Sequence, residues 1–309
     1  MKATISLVAG LAALVLLASS SCAGESSGVA GAAAYMSRPY GARPIGLGGA
    51  FTAVSDDASA LQYNPGALGR IEGTTLQASY ASMSMNRTPY QGVVVWNAGA
   101  SGTFGVGLTG LRISDIDGRD AEGNPADAFD SSEMAVTAGY GRAVGPWLGL
   151  GASFKYMMQT LQDNSGSGFG FDVGAHSRFE IDTPVVDMLS LGIAISNIGS
   201  KLKWDTDSSH EDDLLMTSRY GVAVGATPNE AFRIVATAEG AKTGDRDIEL
   251  CLGGELWYTE TFALRVGHND EDVVFGLSGA TERFRLDYAY APDTLDEGAS
   301  HWLSLNVRM

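Results

Sequence analysis

The feature that most constrains the fold of this chain is an alternation of apolar and polar residues with a period of two, which recurs from residue 74 onward. In 284–290, aromatic and leucine side chains occupy every second position, and Arg285, Asp287 and Ala289 stand between them. The same pattern recurs in 148–156, 189–196 and 248–256. Because successive side chains of a strand point to opposite faces, each segment predicts a β-strand with one apolar face and one polar or small face.

About fourteen segments of this kind can be marked, most of them about nine residues long or somewhat longer. They are 74–86, 89–98, 102–114, 132–143, 147–160, 168–181, 187–198, 216–227, 231–240, 246–257, 261–268, 272–280, 283–291 and 301–309. About nine to eleven residues are needed for a tilted strand to cross a bilayer, and an even number of strands is typical of transmembrane barrels. The segments therefore predict strands that span a membrane.

The connections between these segments alternate in length. The short ones are 145–146, 182–184, 228–230 and 259–260, and the longer ones are 115–131, 163–167, 200–215, 242–245 and 292–300. Outer-membrane barrels have short periplasmic turns and longer outer loops, whereas a soluble β-sandwich has no reason to alternate in this way. An open sheet edge in a bilayer would leave backbone groups unpaired at several kcal/mol each. We therefore predict an all-β fold, a closed antiparallel transmembrane barrel of the outer membrane formed by 73–309.

The first residues resemble an export signal. Lys2 precedes an apolar run at 5–18, and small residues follow at 19–24. A spanning helix needs about twenty apolar residues, and this run has about fourteen, so 1–23 is predicted to be a signal peptide. Cys22 leaves two readings open. Cleavage near Ala23 or Gly24 is preferred to lipidation of Cys22, because Ser19 stands where a lipobox normally carries leucine.

Composition excludes several classes of function. The chain has 20 Lys and Arg against 36 Asp and Glu, a formal net charge of -16, so nucleic acid is not expected as a partner. The second cysteine, Cys251, has no partner once the signal is removed, so no disulfide is expected. The four histidines are scattered, and neither zinc-ligand spacing nor a serine nucleophile motif is present. We expect no enzymatic activity, catalytic residue, metal site or cofactor.

The segment 41–68 differs from the rest of the chain. Glycine occupies four of the nine positions from 41 to 49, which lets the backbone pass close to other parts of the chain and suits a segment folded inside something else. Ser55 or Asp56 is placed to cap a short helix of about two turns. Asn64-Pro65 would end that helix, because the residue before proline is disfavoured in the α conformation.

Residues 48–61 read GGAFTAVSDDASAL, and Asn64-Pro65-Gly66 follows them. This stretch closely resembles the N-terminal hatch of outer-membrane barrels of the FadL superfamily, which includes the long-chain fatty acid transporters and the smaller PorV/PorQ family. The resemblance implies that 24–72 fold as a hatch, or plug, inside the barrel. The chain length is nearer to the PorV/PorQ group. The candidate hatch or ligand residues are Gly48, Gly49, Phe51, Asp56, Asp57, Leu61, Asn64 and Pro65.

The last segment resembles the C-terminal insertion signal of bacterial outer-membrane proteins. Leu303, Leu305 and Val307 alternate with polar residues up to the end of the chain. Met309 stands where such proteins usually have an aromatic residue.

If the apolar faces contact lipid, the opposite faces carry a set of charged and histidine side chains into the lumen. They are Lys155, Asp172, His176, Arg178, Arg219, Arg233, Glu239, Glu249, Glu255, Arg265, Arg285 and Asp287. Arg or Lys facing lipid at mid-bilayer would cost roughly 2–4 kcal/mol, which fixes the choice of faces. These charges could line a polar ligand path or form ion pairs around the hatch. The second interpretation is favoured, since both signs occur on neighbouring strands.

The outer loops are acidic. Residues 115–120 read DIDGRD, but the oxygen spacing does not fit an EF-hand, so a solvated acidic loop is preferred to a calcium site. Together with other loop carboxylates it would make an acidic outer rim able to bind divalent cations shared with surface lipid. The other members are Asp205, Asp207, Glu211, Asp212, Asp213, Asp270, Glu271 and Asp272.

The family resemblance implies two functions. One is a plugged passive channel for hydrophobic or amphipathic small molecules. The other is a PorV-like, non-transporting component of a protein secretion system, a shuttle or anchor whose partners are secretion-system or exported proteins. A structural protein of the outer membrane without a ligand is a third reading. All three place the chain in outer-membrane lipid of a Gram-negative-type envelope.

Overall fold

A computed structural model describes residues 34–120, 122–183, 185–206, 210–269, 272–292 and 298–309. The expected signal peptide at 1–23 and Cys22 lie outside these ranges. So do Asp207, Asp270 and Glu271 of the expected acidic rim.

Within the described ranges the chain forms fifteen strands: β1 (Thr74–Ser82), β2 (Arg87–Asn97), β3 (Thr103–Arg119), β4 (Pro125–Ala143), β5 (Leu148–Leu161), β6 (Asn164–Glu180), β7 (Met188–Trp204), β8 (Glu211–Asp213), β9 (Thr217–Asn229), β10 (Phe232–Thr243), β11 (Ile248–Tyr258), β12 (Phe262–Asn269), β13 (Val273–Ala280), β14 (Phe284–Pro292) and β15 (Ala299–Arg308).

The strands close into an antiparallel barrel. Each wall strand pairs with its neighbours in chain order, and β1 pairs with β15 from Thr75↔Arg308 to Ser82↔His301. The short strand β8 pairs with the end of β7, whereas β9 runs beside the first part of β7. The wall therefore has fourteen strands, each overlapping one of the predicted segments, and the predicted barrel is confirmed.

The two faces of the wall differ as the alternation predicts. On β14, Phe284 and Leu286 are more than half exposed on the outer surface, whereas Asp287 is fully buried in the lumen. Charged residues thus avoid the lipid, where they would lose their hydration. In the described part of the chain, no helix is both long and apolar enough to cross a membrane.

Two of the expected long loops are partly strand, which corrects the sequence analysis. Most of 115–131 belongs to the paired strands β3 and β4, with register shifts near Ile113 and Ile116, so 115–120 is not a free acidic loop. Likewise 200–215 contains the end of β7 and all of β8. Backbone pairing continues beyond the apolar band because the ladder of β3 and β4 extends directly from their paired segments in the wall.

Residues 34–73 lie inside the barrel and are called the hatch below. The hatch contains a 3-10 helix (Ala34–Ser37), two short α-helices, α1 (Ala42–Gly46) and α2 (Ala60–Tyr63), and a second 3-10 helix (Pro65–Arg70). Helix α1 packs on β12–β15, and the second 3-10 helix packs on β3–β6. The hatch therefore contacts both sides of the lumen.

The expected helix of about two turns is shorter than predicted and begins later. Helix α2 has a single turn, and its Ser59 N–H donates to Asp57 Oδ1 at 3.0 Å. Ser55 Oγ instead donates to the Phe51 carbonyl oxygen at 2.7 Å, and Asp56 binds Arg43. Neither predicted cap is free to start a helix. Helix α2 does end just before Asn64, where the backbone is extended (φ −157°).

Candidate functional site

The hatch is joined to one side of the wall by a cluster of ion pairs. Arg43 of α1 is 2% exposed and donates through Nε to Glu255 Oε2 at 2.8 Å. Its Nη1 lies 3.1 Å from Asp57 Oδ2 and also binds Asp56. A buried guanidinium needs such partners, since an unpaired charge in the interior is very costly.

The wall side of this cluster consists of side chains from β11, β12 and β14. Arg265 Nε lies 2.6 Å from Glu255 Oε2, and its Nη1 lies 3.5 Å from Asp287 Oδ1. Arg285 Nη2 lies 2.6 Å from Asp57 Oδ2 and its Nε 2.9 Å from Asp287 Oδ2. We call these residues the ion cluster: Arg43, Asp56, Asp57, Glu255, Arg265, Arg285 and Asp287.

Asp57 shows the electrostatic effect of the cluster on a hatch residue, which does not itself cross the membrane. Burial alone would raise the pKa of this carboxyl group. The guanidinium charges of Arg285 and Arg43 outweigh that effect and lower the pKa of Asp57 to about 2. Asp57 is therefore ionised at neutral pH and holds hatch to wall.

The remaining wall charges are distributed around the lumen. Glu239 Oε2 accepts hydrogen bonds from the hatch N–H groups of Phe51 (3.0 Å) and Thr52 (2.8 Å), and Arg219 Nη1 lies 3.2 Å from Glu239 Oε1. Arg233 binds Glu260 at 2.7 Å. These charges are thus paired with each other or with the hatch backbone.

A second group of polar wall residues lies on β5, β6 and β7. Lys155 Nζ lies 2.8 Å from Asp172 Oδ1 and donates to Asn197 Oδ1 at 2.6 Å. His176 Nε2 is 2.9 Å from the carbonyl oxygen of Ala53 in the hatch. Arg178, in contrast, is exposed at the short-turn end of β6, and Glu249 is half-buried near the start of β11.

The other candidate residues of the hatch sequence hold the hatch against the wall. Phe51 is fully buried and meets the Tyr63 ring edge-on at a centroid distance of 5.3 Å. Leu61 packs into the space left by Gly105 and Gly107. Asn64 Nδ2 donates to the carbonyl oxygens of Thr52 and of Ala175 on β6, at 3.0 Å each.

Glycines of the wall let the hatch backbone approach it directly. A Cβ atom at Gly253 would lie 2.7 Å from the Leu47 carbonyl oxygen, and one at Gly141 would lie 2.7 Å from that of Pro65. On the hatch side, Gly48 (φ +67°) and Gly49 (φ +86°) adopt left-handed backbone conformations. Other wall glycines in contact with the hatch are Gly149, Gly151, Gly174, Gly192, Gly221, Gly267 and Gly276.

Beyond the hatch, toward the long loops, the lumen contains an apolar cluster that sequence analysis missed. Its wall consists of Leu111 (β3), Ala135 (β4), Met157 (β5), Leu202 (β7) and Leu214, with Ile113 and Trp204 at its edge. Tyr35 and Met36 of the hatch are buried in the same cluster. We call this region the apolar chamber. Its sequence signal is apolar residues on the lumen face of strands whose other lumen positions are polar or small.

Two polar cavities flank the hatch. A cavity of about 20 Å³, room for about one water, is lined by residues that include Tyr63, Lys155 and Asp172. A larger cavity of about 420 Å³ opens at the short-turn end beside the ion cluster.

Comparison with known proteins identifies the fold. No family model and no curated protein matches the chain. Among solved structures, the monoaromatic hydrocarbon channel CymD has a TM-score of 0.53 at 13% identity, covering 87% of this chain and 97% of that chain. The P. putida toluene transporter TodX has a TM-score of 0.51 at 12% identity, covering 87% and 98%. This chain therefore shares its barrel fold with these two proteins.

Proposed function

We propose that this protein is an outer-membrane channel through which hydrophobic or amphipathic small molecules pass passively, with the hatch as its plug. The observation that carries the proposal is the apolar chamber. A barrel lumen is normally polar, and apolar walls inside it favour a passenger that prefers them to water. The shared fold with channels for monoaromatic hydrocarbon and toluene, and the resemblance of the hatch sequence to the FadL superfamily, support the same function.

Tyr35 and Met36 occupy the place that a ligand would take. Both are hatch residues from the start of the described chain, and the 3-10 helix that carries them is one short turn. An apolar molecule that enters from the long-loop end would displace these two side chains. The wall need not move, since its apolar residues already face the lumen.

The exit from the chamber leads through the wall rather than through the hatch. Ion pairs and backbone contacts hold the hatch on both sides of the lumen. Between β6 and β7, by contrast, the register shifts on both sides of Phe171↔Ile198, and Asn197 there has φ +61°. Such a bulge is a weak point in a backbone ladder. It lies on the two strands that carry Gly168 and Leu202, and Phe171 at the bulge is exposed on the outer face of the wall.

The test measures the affinity of the detergent-purified full chain for propylbenzene, with tryptophan fluorescence as the readout. Tyr35→Ala should raise the affinity several-fold, because it removes the internal competitor. The control is Tyr80→Ala, which removes a tyrosine side chain that is 55% exposed on the outer face of β1 and therefore opens no cavity. It should leave the affinity unchanged.

Two results would contradict the proposal. The first is an absence of binding to wild type and to both variants. The second is a stoichiometric protein partner that co-purifies while the chamber takes no ligand, which would instead favour the secretion role implied by the PorV/PorQ resemblance.

A further inference from the structure

A row of residues with different chemistry lies at the long-loop edge of the apolar chamber and shares Leu111 and Trp204 with it. Across β3 to β7 the chamber row is formed by successive backbone partners: Thr109, Ala135, Met157, Gly168 and Leu202. The next lumen-facing row toward the long loops is Leu111, Glu133, Gln159, Gly166 and Trp204. We call it the gate row. A molecule that enters the chamber from outside passes Glu133 and Gln159.

The gate row offers hydrogen-bond acceptors to a passing molecule. Gln159 Nε2 donates to Glu133 Oε1 at 2.8 Å, and this hydrogen bond fixes the orientation of the amide group. Gln159 Oε1 is buried and makes no hydrogen bond, although a buried acceptor without a donor is destabilising. The hydroxyl group of Tyr35, which lies within the chamber, is likewise buried and without a partner.

Trp204 closes the gate row with an aromatic face. Its Nε1 donates to Asp212 Oδ2 at 2.7 Å, which holds the ring in place. A Cβ atom at Gly166 would lie 3.2 Å from this ring, so the glycine leaves room for it. The gate therefore combines an acceptor pair with a flat apolar surface.

The cations near the chamber are already neutralised. Lys155 is paired with Asp172 at 2.8 Å and with the Asn197 amide at 2.6 Å. Arg38 interacts electrostatically with Glu133. A ligand carboxylate would thus meet the Glu133 carboxylate and the Gln159 carbonyl dipole without an uncompensated positive charge to bind.

We propose that the gate row selects neutral molecules that carry a hydrogen-bond donor on a small apolar body, such as alkylphenols and alcohols, and rejects carboxylates such as fatty acids. This selection rests on the proposed channel function and names its substrate class. The donor of the ligand satisfies Gln159 Oε1, and the apolar body lies among Met157, Leu202 and the ring of Trp204.

The experiment compares three probes of nearly equal size on the full chain at about pH 8.5, where the Glu133 carboxyl group is ionised: propylbenzene, 4-propylphenol and 4-propylbenzoate. At this pH the phenol is neutral and the benzoate is charged. We expect the phenol to bind about fivefold more tightly than the hydrocarbon, as one added hydrogen bond implies. The benzoate should bind at least about tenfold more weakly than the phenol.

Two variants separate the roles of the gate residues. Gln159→Leu should abolish the preference for the phenol over the hydrocarbon, while the benzoate stays rejected. Glu133→Gln should improve benzoate binding about tenfold, while the phenol keeps its advantage. Glu122→Gln, which removes one carboxylate from the exposed turn between β3 and β4, is the control for a general change in charge and should change nothing.

The outcomes are distinguishable from those of the channel proposal. Equal affinity for hydrocarbon and phenol, or tight binding of benzoate to wild type, would overturn the selection while leaving the channel intact. If only Tyr35→Ala binds the probes, the ranking of affinities for the three probes is measured in that variant and in the Tyr35→Ala, Gln159→Leu double variant. If none of the three probes binds either wild type or Tyr35→Ala, the channel proposal fails and the selection with it.

Discussion

Glu255 of the wall is shared between an arginine of the hatch and an arginine of the wall. Arg43 of the hatch and Arg265 of the wall both bind it, and its side chain is fully buried. Glu255→Gln would leave two buried guanidinium groups without their shared carboxylate. We expect a loss of about 3–5 kcal/mol in the free energy of unfolding, measured by urea titration in detergent.

The matched control for Glu255 is Glu260→Gln. Glu260 also binds an arginine, Arg233, but its side chain is 63% exposed. Exposed ion pairs contribute about 0–1 kcal/mol, so this variant should unfold nearly like wild type. Equal effects of the two substitutions would show that the ion cluster does not hold the hatch.

Asp57 gives a pH dependence whose sign follows from its environment. Its pKa is lowered from 3.8 to about 2 in the folded chain, so its contribution to stability is complete above about pH 4 and is lost as the pH falls through 2. The difference in Tm between wild type and Asp57→Asn should therefore shrink between pH 5 and pH 2. A difference that stays constant over this range would contradict the assignment.

At the scale of single elements, the hatch depends on glycines of the strands around it. A Cβ atom at Gly174 of β6 would lie 2.9 Å from the Gly66 nitrogen and would also contact the Asn64 side chain. Gly174→Ala should therefore destabilise the protein by about 1–3 kcal/mol, because backbone on both sides must move. Gly279→Ala on β13 has open space around it and should be close to neutral. The measurement is the urea titration used for Glu255.

The bulge in β7 is the second element with a testable role. Phe171→Cys with Ile198→Cys would link β6 to β7 across the register shift, where these residues are partners. We expect the disulfide to stop passage of an apolar solute across liposomes and reduction to restore it. A second pair on a regular part of the wall, Leu277→Cys with Tyr288→Cys, should have no effect. Equal passage through both oxidised proteins would place the exit elsewhere.

The elements were predictable to the extent that side chains alone encode them. The wall strands follow from the period-two pattern, because one face meets lipid and the other the lumen. The ribbon at 115–131 and strand β8 were missed because backbone pairing, not a pattern of side chains, forms them. Ser55 could not be recognised as a poor cap, since its hydroxyl group binds Phe51 through a turn that sequence does not show.

The apolar chamber was not predictable for a similar reason. Leu111, Met157 and Leu202 each read as a single exception to a polar face. Only the register of the strands from β3 to β7 brings them into two neighbouring rows of the lumen face, and that register is not visible in any single strand. The charges of the ion cluster were recognised as lumen residues from sequence, but their pairing with Arg43 and Asp57 required the position of the hatch.

For the whole molecule, the hatch is both a plug and part of the packing of the barrel. Ion pairs hold it on the side of β11–β14, and backbone contacts at glycines hold it on the side of β4–β9. Under the proposed channel function, a plug fixed in this way would close the lumen to water, while the chamber beyond it could still take an apolar molecule. Leakage of polar solutes should therefore depend on the hatch, whereas passage of apolar solutes should depend on the bulge in β7.

Deletion of residues 41–68 tests this separation. The deletion exposes Glu239, Glu255 and Arg265 to the lumen, where water can hydrate these charges in place of their hatch partners, so the barrel should still close through β1 and β15. We expect the deleted protein to leak small sugars in liposome swelling, whereas wild type excludes them. Assembly is checked by the heat-dependent shift in electrophoretic mobility that folded barrels show. An assembled barrel without leakage would contradict the hatch as the plug.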